Sequence, residues 1–455
     1  MSMNEGHSTE KLEGRYGFPV AFSMVVGIVI GIGIFFKATP VLKAAGMNPA
    51  IALTAWVLAG VISIFSGLTA AEVGAAIPET GGMIAWIKRI YGDKIAFIVG
   101  WSQGIIYVPA ILAVLAYYFA VFFSELCGAE ATPEFLAPVS LVAVTSTFMI
   151  NIYTKRAGGI LQTIATAAKL IPLGGITLFG LMSANNSLGI LHTTPGVVDT
   201  TSSPLLLLGL AMVPVMFAFD GWIFVGTIAG DIKNVNKNLP RAIILGIGFI
   251  TFFYVVLNMA LLKVFPADVL VEKGMFGVAE VLFGGIGAKF ITLGIVVSAY
   301  GGLNGFTLIS TRVPYAMAIE GNIPKAEFFA KVDPKHNQPI NSSYTMYFLT
   351  CVYLGLIFMT GNADVFGDIP VALTWLFYCM VFVGLFILRK REPNLTRPYR
   401  VPLYPVVPVL AILGGGAIFI YATIHNPLYM AISLGVSAVG LCVYRKKPAL
   451  AVVSD

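Results

Sequence analysis

The chain contains few charged residues, few cysteines and few histidines. Only 11% of its 455 residues are charged, against roughly 25% in a soluble domain. The 4 cysteines and 4 histidines are too few and too scattered for a disulfide framework or a metal-ligand cluster. The shortage of charged residues excludes a soluble globular domain. From the shortage of cysteine and histidine we expect no metal site, and we expect no cofactor.

Motifs of enzymes and ATP-driven pumps are also missing. The sequence has no GxxxxGK phosphate loop, no Ser-His-Asp candidate and no paired carboxylates in a suitable context. It also has no repeated rings of charge or carbonyl groups that would line a channel pore. We therefore expect a carrier, for which saturation and counterflow are diagnostic, and not an enzyme.

Apolar sequence dominates the chain. Hydrophobic residues make up 58%, the mean hydropathy is +0.88, and stretches long enough to cross a bilayer of about 30 Å recur throughout. The pattern predicts an all-α polytopic membrane protein with twelve transmembrane helices, at 18–36, 50–76, 95–123, 136–153, 157–183, 204–229, 240–264, 281–308, 341–361, 369–389, 404–424 and 428–444.

The positive charges alternate between successive loops. Most of the 28 lysine and arginine residues fall in the N-terminal tail, the C-terminal tail and every second loop, and short cytoplasmic loops retain positive charge. We therefore expect both termini to be cytoplasmic. The net charge of +6 then reflects topology, and we expect no nucleic-acid partner.

Two spans contain residues that disfavour a continuous helix. The first carries GIVIGIGIFFK (Gly27 to Lys37), and the sixth carries Asp220-Gly221 within FAFDGW. Each glycine costs roughly 1 kcal/mol in a helix interior, and interrupted helices at corresponding positions of two five-span halves indicate a transporter binding site. The alternative is that these glycines form a small-residue packing face between helices.

A zwitterionic amino acid would satisfy the backbone groups that such breaks expose. Its carboxylate can accept hydrogen bonds from N–H groups at the start of the second half-helix, where the helix dipole is positive. Its ammonium group can donate to carbonyl oxygens that end the first half. Glycine lets the ligand approach the backbone closely.

These residues and several longer stretches resemble the amino acid-polyamine-organocation superfamily, over nearly the whole chain. The L-type amino-acid transporter branch, especially its bacterial members, is the most similar. The stretches that carry the resemblance are IGIGIF, Ala70 to Trp101, FAFDGWIFVGTIAGDIKNVNKNLPRAI (Phe217 to Ile243), Ser298 to Lys325, and RPYRVPLYP (Arg397 to Pro405).

The resemblance implies a leucine-transporter-type fold and an alternating-access antiporter. This fold consists of a 5+5 inverted repeat with discontinuous helices 1 and 6, plus two peripheral helices. The expected units are an N-terminal cytoplasmic tail, two five-helix repeats, the peripheral helices and a C-terminal tail, at 1–17, 18–183, 204–389, 404–444 and 445–455.

The resemblance also implies a binding site for the substrate backbone. The amides of Ile32 and Gly33 would bind the carboxylate, and the carbonyls of Val29, Phe217 and Asp220 would hold the ammonium. The Phe217 ring would close the outer side. Gly31 and Gly221 complete the expected site. Ile32 departs from the family pattern, in which this position is usually small, and so puts bulky substrates in doubt.

Lys169, near the middle of the fifth span, is the most informative single residue. A lysine in a membrane interior is by default a functional-site hypothesis, with snorkelling to the interface as the alternative. Family members carry a lysine here, where sodium-coupled relatives hold a cation. The Lys169 ammonium group would bridge span 1 to span 8 near Ser298 or Asn304. We therefore expect transport to be independent of sodium, with proton coupling as the open alternative.

The expected substrates are small neutral amino acids such as alanine, serine or threonine. Cationic amino acids or polyamines, carried by proton coupling or exchange, are the alternative. Asp220 bears on this choice, since it either attracts a cationic group or accepts hydrogen bonds from the backbone of the broken helix. Glu72 is expected to be structural.

Cys127 lies in an outer loop, where eukaryotic L-type members join a single-span glycoprotein through a cysteine. The short tails and the bacterial character of FAFDGWIFVGTIAGDIKN argue against such a partner. We expect a chain that works without a disulfide-linked heavy chain in the inner (plasma) membrane of a bacterium, with amino acids and lipid as its partners.

Overall fold

The structure of the chain is a computed structural model that describes residues 17–30, 33–77, 82–154, 169–183, 191, 196–223, 232–333, 335, 336 and 338–445. These residues are mostly helical, and their single β-bridge joins Asp333 to Gln338. The helices are α1 (Phe18–Val29), α2 (Gly33–Ala44), α3 (Pro49–Ala76), α4 (Met83–Tyr91), α5 (Asp93–Ser102), α6 (Val108–Cys127), α7 (Pro133–Tyr153), α8 (Leu170–Met182), α9 (Pro204–Phe219), α10 (Val235–Val264), α11 (Ala267–Ser310), α12 (Arg312–Ile319), α13 (Ala326–Ala330), α14 (Ile340–Thr360), α15 (Ala363–Arg391), α16 (Val406–His425) and α17 (Pro427–Val443), with a π-helical turn at Gln103–Tyr107 between α5 and α6.

Within the described part of the chain, eight helices are long and apolar enough to cross a membrane by length and composition. Three shorter apolar helices accompany them, at Pro172–Met182, Pro204–Phe219 and Pro427–Val443. Each of the twelve predicted spans overlaps a described helix. The all-α polytopic membrane fold is thus confirmed, while the count of twelve spans and the inverted repeat stay predictions.

Two helix boundaries differ from the sequence prediction. The helix after the first break, α2, continues to Ala44, well beyond the expected end at residue 36. The stretch before the eighth span is also helical from Ala267, although it is interrupted at Gly274 (φ 60°) and Gly284 (φ 69°). Hydropathy marks the apolar part of a helix and not its charged or polar ends.

The helices pack into two groups. One contains α1, α2, α3, α9 and α10, and the other contains α6, α7, α11 and α14, while α8 and α15 contact members of both groups. Each group combines spans that correspond under a shift of five, such as the first with the sixth and the third with the eighth. The inverted repeat itself stays a prediction.

Helix α3 shows how the sequence produces this packing. It begins at Pro49, and the side chain of Asn48 caps it by accepting from the N–H groups of Ala50 (3.0 Å) and Ile51 (3.3 Å). A Cβ atom added at Gly60 would lie 2.1 Å from Cγ2 of Thr251 on α10. Glycine therefore allows α3 and α10 to approach closely.

Glu72, at the far end of α3, has structural contacts. Its carboxylate is completely buried and accepts from Arg389 Nε (2.8 Å) and Nη2 (2.6 Å) at the end of α15. The backbone N–H of Val401 donates to the same carboxylate at 2.7 Å. This bidentate, charge-assisted contact joins α3, α15 and the RPYRVPLYP segment.

Loops that are expected on one side of the membrane lie together. At the end that carries α4, Lys88 pairs with Glu320 (3.1 Å) and Arg89 with Glu392 (2.8 Å). The hydrogen bond from Arg89 lowers the pKa of the Glu392 carboxyl group. At the other end, the N–H of Asp199 donates to Gly46 O at 2.9 Å. The three loops that meet at the first end and the two that meet at the second are each expected on one side of the membrane by the charge pattern.

Candidate functional site

The sixth predicted span is interrupted at Asp220-Gly221. Helix α9 ends at Phe219, Asp220 has extended backbone angles (φ −71°, ψ 157°), and Gly221 has φ +100°. This left-handed conformation favours glycine, because any Cβ atom would be strained there. The Asp-Gly pair therefore ends the helix in the way that the sequence indicated.

The first predicted span is interrupted as well. Helix α1 ends at Val29, Ile30 leaves the helical region (φ −71°, ψ 77°), and α2 begins at Gly33. The expected ligand-binding residues Gly31 and Ile32 lie outside the described residues. A Cβ atom at Gly33 would lie 3.4 Å from Ala218 Cα, so the two broken helices are in contact here.

Tyr254 of α10 lies between the two breaks. Its hydroxyl is 2.9 Å from Val29 O and 3.1 Å from Ala218 O, and it is completely buried. A hydroxyl has one proton, which these two carbonyls share. The last turns of α1 and α9 are thus held together by one side chain, a role that the sequence did not predict.

Lys169 contacts the first break. Its Nζ atom donates to Ile30 O at 2.5 Å, and the residue is only 6% exposed. Lys169 immediately precedes α8, and its contact satisfies a carbonyl that the end of α1 leaves without a helical partner. Snorkelling to the membrane surface does not describe this geometry.

Ser298 and Asn304, the expected partners of Lys169 on α11, have other surroundings. Asn304 accepts a hydrogen bond from Asn151 Nδ2 of α7 at 2.8 Å. The hydroxyl of Ser298 is buried and has no hydrogen-bond partner among the described residues. The contact of Lys169 that the structure describes is with α1, and the bridge to span 8 near Ser298 or Asn304 stays a prediction.

Asp220 is held by two tyrosines. The hydroxyls of Tyr107 and Tyr378 both donate to its carboxylate, the latter at 2.9 Å. Tyr107 ends the π-helical turn Gln103–Tyr107, and Tyr378 lies on α15. The sequence left two interpretations of Asp220, as a partner of a cationic group or of the backbone of the broken helix. The structure adds a third, because the carboxylate accepts hydrogen bonds from side chains of α15 and of the π-helical turn.

Phe217 occupies the space above the breaks. Its ring centroid lies 5.4 Å from that of Phe36 in an edge-to-face contact. A Cβ atom added at Gly367 of α15 would lie 2.7 Å from the Phe217 ring. The Phe217 ring therefore fits closely between α2 and α15.

A partly buried ionic cluster covers the Phe217 ring and consists of Lys37, Asp364 and Asp368. Lys37 is completely buried, and its Nζ atom lies 2.8 Å from one carboxylate oxygen of each aspartate. The ammonium is 4.8 Å from the centroid of the Phe217 ring, within the range of cation–π attraction. Tyr118 donates to Asp364 at 2.9 Å. Together these contacts join α2 to α15.

Lys37 directly follows the predicted span 18–36, which predicts an outer loop there, and neither aspartate belongs to a motif of the sequence. A signal was present, because Asp364 and Asp368 are four residues apart and so share one face of α15. Their partner, however, lies 331 residues from Asp368, and a distance of that kind cannot be read from local patterns.

Comparison with known proteins decides the family. Residues 16–439 match the model of the amino acid permease family. The chain belongs to this family. It is 36% identical over 438 residues to the serine/threonine exchanger SteT of Bacillus subtilis, which covers 95% of the chain and 96% of SteT.

Two human relatives are more distant. The chain is 28% identical over 444 residues to the large neutral amino acids transporter small subunit 2 (95% of the chain, 80% of the relative). It is 26% identical over 438 residues to the Asc-type amino acid transporter 1 (95% and 82%). This amino acid permease is thus a multi-pass membrane transporter and not an enzyme.

The permease has no disulfide among its cysteines. All four are free, and Cys127 is exposed at the end of α6. Exposure is compatible with either a free thiol or a bond to another chain, so the expectation that no heavy chain is attached stays a prediction.

Proposed function

We propose that this permease is a sodium-independent exchanger of small neutral amino acids such as serine, threonine and alanine. Support for the substrate class comes from the serine/threonine exchanger and the neutral amino-acid transporters to which the chain is similar. In an alternating-access cycle, the helices around the site expose it to one side of the membrane and then to the other.

The observation that carries this proposal is the contact between Lys169 Nζ and Ile30 O. A broken helix inside a membrane needs a partner for its freed carbonyl groups, and a metal cation is one such partner. Here a side-chain ammonium group has that position. A side-chain cation at the break would remove the need for sodium.

The neutral charge of the substrate is supported by the contacts of Asp220. Two tyrosine hydroxyls already donate to this carboxylate, and hydrogen bonds to a charged group are among the stronger ones. Both carboxylate oxygens therefore have a hydrogen-bond donor without a cationic substrate side chain, and a neutral substrate leaves this arrangement intact.

The substrate backbone would bind at the two breaks. Its carboxylate would accept from the amides of Ile32 and Gly33, where α2 begins and its dipole is positive. Its ammonium would donate to the carbonyls of Val29, Phe217 and Asp220. Val29 O already accepts from Tyr254, but a carbonyl oxygen has two lone pairs and can accept a second bond.

The proposed orientation places both termini in the cytoplasm, at the end where Lys88, Arg89 and Glu392 meet. The cluster of Lys37 with Asp364 and Asp368 then faces the outside, so the conformation described here is closed on that side. The two repeats would span 18–183 and 204–389, in the inner membrane of a bacterium, without a heavy chain.

The test is counterflow by the chain alone, purified under reducing conditions and reconstituted in proteoliposomes. Vesicles loaded with serine are expected to take up labelled serine, threonine and alanine at saturable rates, and lysine, arginine and putrescine only at background rates. Exchange of the cationic compounds would contradict the neutral substrate class. Conductance without saturation would contradict a carrier altogether.

Asp220→Asn refines this test, with Asp199→Asn in the loop before α9 as its control. An amide weakens the contacts with Tyr107 and Tyr378, so we expect all neutral substrates to lose transport alike, by about tenfold. A loss that is selective for lysine or arginine would instead assign Asp220 to a cationic substrate. The control variant is expected to transport at the wild-type rate.

A further inference from the structure

An apolar cavity lies outside the proposed substrate site. It has a volume of about 300 Å³ and is formed by the end of α5, the π-helical turn, α12, α13, α14 and α17. An apolar cavity of about 150 Å³ is already large enough to bind benzene. The side chains that define this one include Trp101, Met317, Phe329, Leu349 and Val443.

The cavity opens at the surface of the helical bundle. Trp101, Met317, Leu349 and Val443 are half-buried rather than fully enclosed. Next to Leu349 on α14, the Phe348 side chain is 65% exposed, as a lipid-facing residue would be. An acyl chain of the surrounding bilayer can therefore reach the cavity from the side.

Positive charge stands at the rim. Lys325 lines the cavity and is exposed. Arg445 lies near the same rim because its backbone N–H donates to Asn322 O at 3.0 Å. Of the nearby carboxylates, Glu320 is engaged by Lys88 and Asn322, and Glu327 follows Lys325 in α13. The rim is at the end of the molecule where the basic loops lie.

The backbone of Lys325 is unusual. It has φ +54° and ψ 38°, a left-handed conformation that glycine and asparagine adopt far more readily than lysine. Such conformations cluster at ligand sites, where the surrounding structure over-determines them. The residue with this strained backbone is a lysine at the mouth of an apolar cavity.

We infer that this cavity binds an acidic phospholipid. One acyl chain fills the space beside Trp101 and Leu349, and the anionic headgroup lies against Lys325 and Arg445. Charge complementarity selects this occupant over a zwitterionic lipid, because lysine and arginine near the membrane surface attract anionic headgroups. The site is separate from the helix breaks and is independent of which amino acid the permease carries.

Trp101 provides a reporter for the test. The other four of the 5 tryptophans, Trp56, Trp86, Trp222 and Trp375, are at most 1% exposed. Trp101 is held at the cavity by its indole N–H, which donates to Val436 O at 2.9 Å. Bromine atoms on an acyl chain quench tryptophan fluorescence on contact, so a brominated lipid in the cavity quenches Trp101 selectively.

The full chain is reconstituted in phosphatidylcholine vesicles with increasing fractions of brominated phosphatidylglycerol or brominated phosphatidylcholine. We expect the acidic lipid to quench Trp101 at mole fractions about tenfold lower than the zwitterionic one, and Trp101→Phe to remove that component. In Lys325→Gln/Arg445→Gln the two lipids should become nearly equivalent. Lys331→Gln, a nearby charge outside the cavity, should retain the preference.

Val443→Phe, which fills the cavity, supplies a second variant. It is expected to abolish selective quenching by either lipid while leaving the rim charges in place. Equal quenching by both lipids in the wild type, or an undiminished preference in Lys325→Gln/Arg445→Gln or in Val443→Phe, would overturn the inference.

Discussion

Lys169→Ala is expected to fold, reach the membrane and lose about nine-tenths or more of the wild-type transport rate. A hydrogen bond from a charged group contributes about 1.5–3 kcal/mol, and each 1.4 kcal/mol changes an equilibrium constant about tenfold. The lost contact is the one between Lys169 Nζ and Ile30 O. Without it, the end of α1 has a different balance of conformations, since the contact stabilises some states of the cycle more than others.

The measurement is uptake and efflux in vesicles of known orientation, normalised to the amount of protein. The apparent affinity of the variant should change more on one face of the membrane than on the other. Lys263→Ala is a matched control, because Lys263 also donates to a backbone carbonyl, that of Leu181 at the end of α8, away from both breaks. Wild-type rates with unchanged affinity on both faces would return Lys169 to a structural role.

Asp364→Asn/Asp368→Asn is expected to be the most disruptive change at the ionic cluster. It leaves Lys37 completely buried without an anionic partner in the cluster, and breaking a buried ion pair in this way costs about 3–5 kcal/mol. We expect a lower melting temperature in detergent and a transport rate reduced by more than tenfold. Either single substitution should have a smaller effect, because one aspartate still pairs with Lys37.

Lys37→Met in the double-asparagine background separates stability from function. Replacing a buried ionic cluster by apolar and neutral groups is often neutral for stability, so the melting temperature should recover. Transport should stay low, because the charged contact between α2 and α15 that closes this side is absent. If transport recovered together with stability, the cluster would be structural only.

The apolar spans and the positions of the breaks were predictable because both depend on local chemistry. A membrane span needs a long apolar stretch, and a helix break needs residues such as Asp220 and Gly221 that leave the helical conformation readily. Lys169 was conspicuous for the same reason, since a charge inside an apolar stretch is visible without any knowledge of its partners.

The contacts between distant helices were not predictable. Lys37 follows an apolar stretch, and this pattern predicts the start of a loop, whereas α2 continues to Ala44 and places Lys37 in the interior. Tyr254, Tyr107 and Tyr378 looked like ordinary aromatic residues of a span. Their hydroxyls gain a role only because α10, α15 and the π-helical turn bring them to Val29, Ala218 and Asp220.

A sodium titration is the most direct test of whether the lysine at the first break makes sodium unnecessary. Proteoliposomes that contain only this chain are loaded with serine, and exchange for labelled serine is followed from nominally sodium-free buffer to physiological sodium, with choline keeping the ionic strength constant. We predict the same exchange rate throughout. A rate that is negligible without sodium and rises to saturation with it would show that Lys169 does not replace sodium.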